Sequence, residues 1–312
     1  MKLIVAFFRL IRWTNLIFII LTQFLFYFFL MIPAFNEEKI INYKNVLTPF
    51  YFYLLCLSSV LIAAAGYIIN DYFDLNIDRV NKPEKLVVEK IIKRRWTIVW
   101  HWILSGLGII IGAYISWKLH NLIIILSHIG CTFLLWVYST TFKRKILIGN
   151  IIVSLLTSWT VMVLYFCEFR RTIFLDPVYH HVLARIFKFA ILYAGFAFII
   201  SLVREVVKDI EDMEGDAAYD CRTMPIVWGI NVSKVFAATW LIVLIASLVV
   251  IEFYVLQYSW WWAVVYCGVF IILPLLLVLR NLYRASSVKD YHQLSNFIKA
   301  IMISGVLSML FF

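Results

Sequence analysis

Of 312 residues, 64% are hydrophobic and 15% are charged, outside the range of soluble domains, in which about a quarter of residues carry charge. The formal net charge of +10 does not imply nucleic acid, because the basic residues lie in short segments beside apolar runs and not on a soluble face. Cys56, Cys131, Cys167, Cys221 and Cys267 are scattered, odd in number and without a CxxC pair, so they suggest neither a disulfide framework nor a CxxC metal site and read as packing residues.

The first apolar run, from about Leu16 to Ile32, follows Lys2, Arg9 and Arg12. It resembles a signal peptide but is long and lacks a small-x-small cleavage site, so it reads as a retained first span. Runs matching the ~20 residues that a helix needs to cross the hydrocarbon core predict nine spans, near 16–33, 50–70, 97–117, 122–140, 147–166, 182–203, 233–251, 260–279 and 293–311. The third contains a GxxxG spacing at Gly108 and Gly112, which favours close helix packing, and Pro274 is expected to kink the eighth. Tight turns leave no room for a soluble domain, so residues 1–312 read as one all-α, polytopic membrane domain. With the N-terminus cytoplasmic, that side collects twenty of the 28 Lys and Arg residues. Positive-inside bias therefore puts the N-terminus and the two longest polar segments, 70–96 and 204–232, in the cytoplasm and the C-terminus outside. The outer segments Asn36 to Asn45 and Glu168 to His181 read as ordinary connections.

Chemistry concentrates where the second and sixth spans end. The second ends in Asn70-Asp71-Tyr72-Phe73-Asp74-Leu75-Asn76-Ile77-Asp78-Arg79, the sixth in Lys208-Asp209-Ile210-Glu211-Asp212-Met213-Glu214-Gly215-Asp216. Both contain Asp-x-x-Asp-x-x-x-Asp, and each aspartate lies 138 residues from its counterpart, which suggests a duplicated helical unit. At about 100° per residue, offsets of 0, 3 and 7 fall within roughly 60° of one another, so each motif forms one carboxylate stripe. Glu211 and Glu214 fall off it. Three anions near hydrocarbon repel one another and lose solvation, and a cation offsets both costs. Mg²⁺ is a hard ion typically held by one or two carboxylates plus phosphate oxygens and water. Its expected ligands are Asp71, Asp74, Asp78, Asp209, Asp212 and Asp216, with the amide oxygen of Asn70. An isolated acidic run is usually a solvated or capping feature; two runs of identical spacing at the same ends of two spans argue against that reading.

Arg79, Lys82, Lys143, Arg144, Lys208 and Arg222 lie on the same side and are candidates to grip a diphosphate. Their competing reading is topogenic charge or lipid headgroup contact. Arg12 with Asn15, at the mouth of the first span, carries a weaker signal. The six histidines form no metal-ligand pattern and read as interface residues. No G-x-S-x-G, GxxxxGK[ST] or GxGxxG sequence is present, which removes the common hydrolase and nucleotide readings.

At these motifs the sequence resembles the UbiA superfamily of intramembrane prenyltransferases. Asn70-Asp71-x-x-Asp74-x-x-x-Asp78 is similar to that family's first motif, and Asp209-x-x-Asp212-x-x-x-Asp216 to its second. Tyr138 to Lys143 looks like its Tyr-x-x-x-Lys element with one extra residue. The resemblance implies an all-helical fold around a central cavity, Mg²⁺ bridging both motifs to the diphosphate of an isoprenyl donor, and a lateral opening for the prenyl tail. The six aspartates would then be catalytic, with Tyr138 offering a π-face to the prenyl cation. The combination Arg204-Glu205-x-x-Lys208-Asp209 with Arg222-Thr223-x-Pro225 is most similar to the branch that transfers geranylgeranyl groups to geranylgeranylglyceryl phosphate, a membrane-associated, amphipathic acceptor. Quinone-forming enzymes with aromatic acceptors are the close alternative. A transporter or channel is the rival of another class, but its acidic groups belong near span centres. No nucleic acid and no obligate protein partner is expected.

Overall fold

The computed structural model describes residues 2–37, 46–81, 83–84, 86–169 and 177–311. Among them all regular structure is helical, apart from an isolated bridge between Val88 and Ile92. Nine of the described helices are long and apolar enough to cross a membrane: Trp13–Asn36, Pro49–Asn81, Arg94–Leu119, Leu122–Thr140, Ile148–Glu168, Tyr179–Glu211, Ile230–Leu256, Trp261–Arg284 and Val288–Phe311.

The second and sixth spans run further than their apolar runs predict. Each has 33 residues, about 50 Å at the helical rise, against a hydrocarbon core of about 30 Å. The excess is the acidic motif. Hydropathy stops at residue 70, but Leu75 and Ile77 stay buried and the first proline beyond comes only at Pro83, so helical hydrogen bonding continues to Asn81. The second motif is less regular. The sixth span ends at Glu211, Asp212 stands outside helical geometry at φ −93° and ψ 6°, and a short helix resumes over Met213–Ala218. The amide of Asp212 still donates to Lys208 O at 2.8 Å, and that of Asp216 to Asp212 O at 3.1 Å. The stripe expected on one straight helix is thus carried by two helical pieces, the break falling on a residue type whose side chain competes for backbone groups.

Two prolines sit just after π-helical turns, Pro33 after Phe26–Met31 and Pro274 after Gly268–Ile272. A proline ring removes one amide donor and crowds the carbonyl four residues back, and a wider π turn relieves that crowding.

The chain divides into two compact units. One comprises residues 1–142 and 159–190. In it the second span packs along the third, and both meet the fourth. The GxxxG spacing serves this packing: a Cβ on Gly108 would come within 2.7 Å of Ile62, and one on Gly112 within 2.7 Å of the His128 ring. His128 and His101 are buried between helices, which corrects the interface reading for these two. Nε2 of His128 lies 2.8 Å from Ser58 Oγ, and Nδ1 of His101 lies 3.0 Å from Ala65 O. A buried ring is retained here because each has a polar partner inside the apolar layer. The helix Lys2–Leu10 buries Ala6 and Leu10 against Ile68 and Leu75 of the second span and Val87, Val88 and Ile92 of the following loop.

A carboxyl group fastens the opposite end of this unit. Glu168 is fully buried; its two oxygens accept from Val46 N and Leu47 N, each at 2.9 Å. Tyr179 Oη lies 2.9 Å from the Glu168 carbonyl and 3.3 Å from its carboxyl group, and Tyr27 Oη donates to Leu47 O at 2.6 Å. This clasp holds the turn that starts the second span, so Glu168 and Tyr179 are more than ordinary connections.

The other unit comprises residues 143–158 and 191–312. Its core joins Ile200, Val203 and Val207 of the sixth span to Leu241 and Leu244 of the seventh, Leu275 and Val278 of the eighth and Ile298 of the ninth. A capping box at Ser287 and Asp290 starts the ninth span. Four of the five cysteines are buried.

Candidate functional site

In the first unit the stripe is built on the projecting end of the second span. Asp74 is buried, while Asp71 and Asp78 are half-buried. Arg12 donates from Nη2 to Asp71 Oδ1 at 2.7 Å, with its guanidinium 5.1 Å from the centroid of the Tyr67 ring. Burial works against the Arg12 charge, but the Asp71 carboxylate outweighs it with help from Asp78, so this guanidinium is held more firmly protonated than a free arginine. Arg12 therefore answers the first carboxylate directly, and the third acts on it only as a weaker charge. It reaches them from a left-handed backbone conformation, φ 51° and ψ 54°, between the helix Lys2–Leu10 and the first span. Non-glycine residues adopt that region rarely. The charge was visible in the sequence at the mouth of the first span, but its turn conformation was not.

Asn70 donates from Nδ2 to Asp74 Oδ2 at 2.6 Å. Its Oδ1 is buried and accepts no hydrogen bond. A buried carbonyl oxygen left without a donor is costly, and here it stands beside a carboxylate, an arrangement that suits a hard cation. Arg79 is exposed; Lys82 lies outside the described residues. Tyr138 is half-buried near the end of the fourth span.

In the second unit Asp209 Oδ2 accepts from Asn150 Nδ2 at 2.7 Å. Glu205, Asp216 and Lys143 are the charges that act on it, so the first and third carboxylates of this stripe are electrostatic neighbours. Asp216 is buried, and its carbonyl accepts from Cys221 N at 3.0 Å, closing the turn beyond the motif. That turn brings Arg222 N to within 2.8 Å of Arg144 O, which joins the segment of Lys143 and Arg144 to that of Arg222. The side chains of Arg144 and Arg222 are exposed, and that of Lys143 half-buried. Lys208 donates to Glu205 Oε1 at 2.9 Å, sharing that oxygen with Arg204 at 3.2 Å. Glu211 pairs with His292 at 2.7 Å, off the stripe as expected. Asn150 carries no spacing signal in the sequence, where it is an amide in an otherwise apolar run.

Among the described residues, no three His, Cys, Asp or Glu side chains by themselves form a group that could hold a metal ion. Both motifs offer carboxylate oxygens, with cationic or amide donors already on Asp71, Asp74 and Asp209. Such sites suit an ion that takes part of its coordination from a substrate.

The profile of the UbiA prenyltransferase family matches residues 30–301. The chain belongs to the UbiA prenyltransferase family. It is a prenyltransferase and an integral, multi-pass membrane protein. Among similar proteins is a digeranylgeranylglyceryl phosphate synthase from Methanothermobacter thermautotrophicus, 34% identical over 209 residues, which covers 66% of this chain and 66% of that one. A protein of the same name from Methanosphaera stadtmanae is 30% identical over 264 residues, 83% of this chain and 87% of the relative. The fold is shared with a UbiA homologue from Archaeoglobus fulgidus bound to GPP and Mg²⁺, with a TM-score of 0.55 at 14% identity over 97% of this chain and 99% of that one. The UbiA membership places both acidic motifs inside the matched region, since residues 70–78 and 209–216 fall within 30–301.

Proposed function

We propose that this UbiA prenyltransferase moves a geranylgeranyl group from geranylgeranyl diphosphate to geranylgeranylglyceryl phosphate, using Mg²⁺. Residues 1–312 would act as one catalytic domain with the N-terminus and acidic motifs cytoplasmic and the C-terminus outside. The observation that carries the acceptor is the likeness to two digeranylgeranylglyceryl phosphate synthases, one of them over 83% of this chain.

The residues proposed to hold the metal are Asn70, Asp71, Asp74, Asp78, Asp209, Asp212 and Asp216. Their oxygen chemistry fits Mg²⁺, and the orphaned Oδ1 of Asn70 supports that fit. Bound there, Mg²⁺ supplies positive charge that neutralises the leaving diphosphate. Arg12 keeps Asp71 oriented and ionised. Lys143, Arg144 and Arg222 bring cationic donors to the phosphate oxygens from one loop cluster, and Arg79 and Lys82 do so from the end of the second span. Lys208 adds charge while paired to Glu205. The C1–O bond of the donor breaks, diphosphate leaves with the electron pair, and the allylic cation is shielded from water by apolar span walls. Tyr138 is the proposed aromatic face beside it. The acceptor hydroxyl oxygen forms the new C–O bond, and its proton passes to the released diphosphate.

An acceptor screen tests this reading. Purified full-length protein is given labelled geranylgeranyl diphosphate with geranylgeranylglyceryl phosphate, 4-hydroxybenzoate or a dihydroxynaphthoate. Labelled diether phosphate is the expected product. A prenylated aromatic ring formed in preference to it would replace the acceptor and leave the prenyltransferase.

A further inference from the structure

The offset of 138 residues between the motifs extends beyond the aspartates. Shifting Arg94, the start of the third span, by 138 residues reaches position 232, beside the start of the seventh at Ile230; shifting Leu122 reaches 260, beside Trp261. The same shift takes Arg12 onto Asn150. Each of these residues donates to the first aspartate of its own motif, 59 residues onward, and each does so at 2.7 Å. The repeated unit therefore includes a donor at the mouth of the preceding span as well as the acidic stripe, and the two donors differ in charge. Arg12 neutralises its carboxylate. Asn150 orients Asp209 and adds no charge.

We propose that Asn150 is a positioning residue for the second acidic stripe: its amide fixes one oxygen of Asp209 and so presents the other to the divalent cation. Asn150 is 8% exposed at the start of the fifth span, where a buried amide without a partner would be costly. Its hydrogen bond to Oδ2 leaves Oδ1 of Asp209 directed by geometry that the amide sets. An arginine at this position would compete with the metal for the same charge, whereas an amide does not. Loss of a residue that orients a metal ligand typically weakens metal binding about 10- to 100-fold.

This inference rests on the Mg²⁺ reading above, and the test separates the two. Mn²⁺ binding to full-length protein is followed by electron paramagnetic resonance in the presence of geranylgeranyl S-thiolodiphosphate, an unreactive donor analogue. Asn150→Ala and Asn150→Ser, both too short to reach Asp209, are expected to weaken Mn²⁺ binding about tenfold or more. Asn150→Gln, which keeps the donor, should recover most of it. Ser154→Ala, one turn along the same buried face, should bind as the wild type does. In an Asp209→Ala background, Asn150→Ala should have no further effect. Wild-type affinity in the Ala and Ser variants, or equal weakening by Gln, overturns the positioning role and leaves the metal reading standing. A wild-type protein that binds no Mn²⁺ overturns both.

Discussion

Asp71→Ala and Asp209→Ala, made separately, are each expected to lower kcat for diphosphate release by about 10³-fold, on the order of 4 kcal/mol of lost transition-state stabilisation. The physical reason is the same for both. Charge builds on the leaving diphosphate, and each variant removes the first carboxylate of one stripe and with it part of the cation's hold. Asp71→Ala also leaves Arg12 without its 2.7 Å partner, so the first stripe loses its internal charge balance as well. Asn76→Ala supplies the control, because Asn76 lies on the same helix end but is exposed and off the stripe. The measurement is single-turnover release of labelled diphosphate, which separates chemistry from product release. Near-normal rates in either aspartate variant would remove that stripe from the chemistry.

The largest effect on stability is expected far from the acidic motifs, at Glu168. Glu168→Leu keeps bulk but leaves the Val46 and Leu47 amides without their acceptors. At about 1–3 kcal/mol for each orphaned buried donor, the variant should lose about 4 kcal/mol. Glu168→Gln retains one acceptor oxygen and should fall between. Thermal unfolding in detergent, read by loss of helical circular dichroism, checks the order wild type, Gln, Leu. An unchanged midpoint for Leu would mean that the clasp contributes nothing to folding. Because it begins the second span, its loss should also loosen the helix that carries Asp71, Asp74 and Asp78.

The nine spans and both acidic motifs were legible in the sequence because each depends on local rules: run length for the spans, helical spacing for the stripes. Where helices end was less legible. The second and sixth spans continue through polar residues because backbone hydrogen bonding and buried apolar side chains, Leu75 and Ile77 in the second and Val206, Val207 and Ile210 in the sixth, carry the helix past the point where hydropathy falls. The break at Asp212 follows from no composition signal. Partners were the least legible of all. Arg12 was only a weak candidate and Asn150 was not one, since a hydrogen bond between residues 59 apart depends on tertiary packing that spacing within one helix cannot express. Glu168 had a readable signal, a carboxylate at the end of an apolar run, but its acceptor role became apparent only with the backbone of residues 46–47 in place. Histidine was misread for a similar reason: His101 and His128 look like polar interruptions, yet each finds a buried oxygen on a neighbouring helix.

The central claim is that two matched carboxylate stripes act on a diphosphate through Mg²⁺. Its most direct test is diphosphate release from labelled geranylgeranyl diphosphate by the full-length enzyme, first stripped with EDTA and then resupplied with Mg²⁺. The account predicts no turnover in EDTA and recovery when Mg²⁺ returns. Undiminished release in EDTA would contradict it.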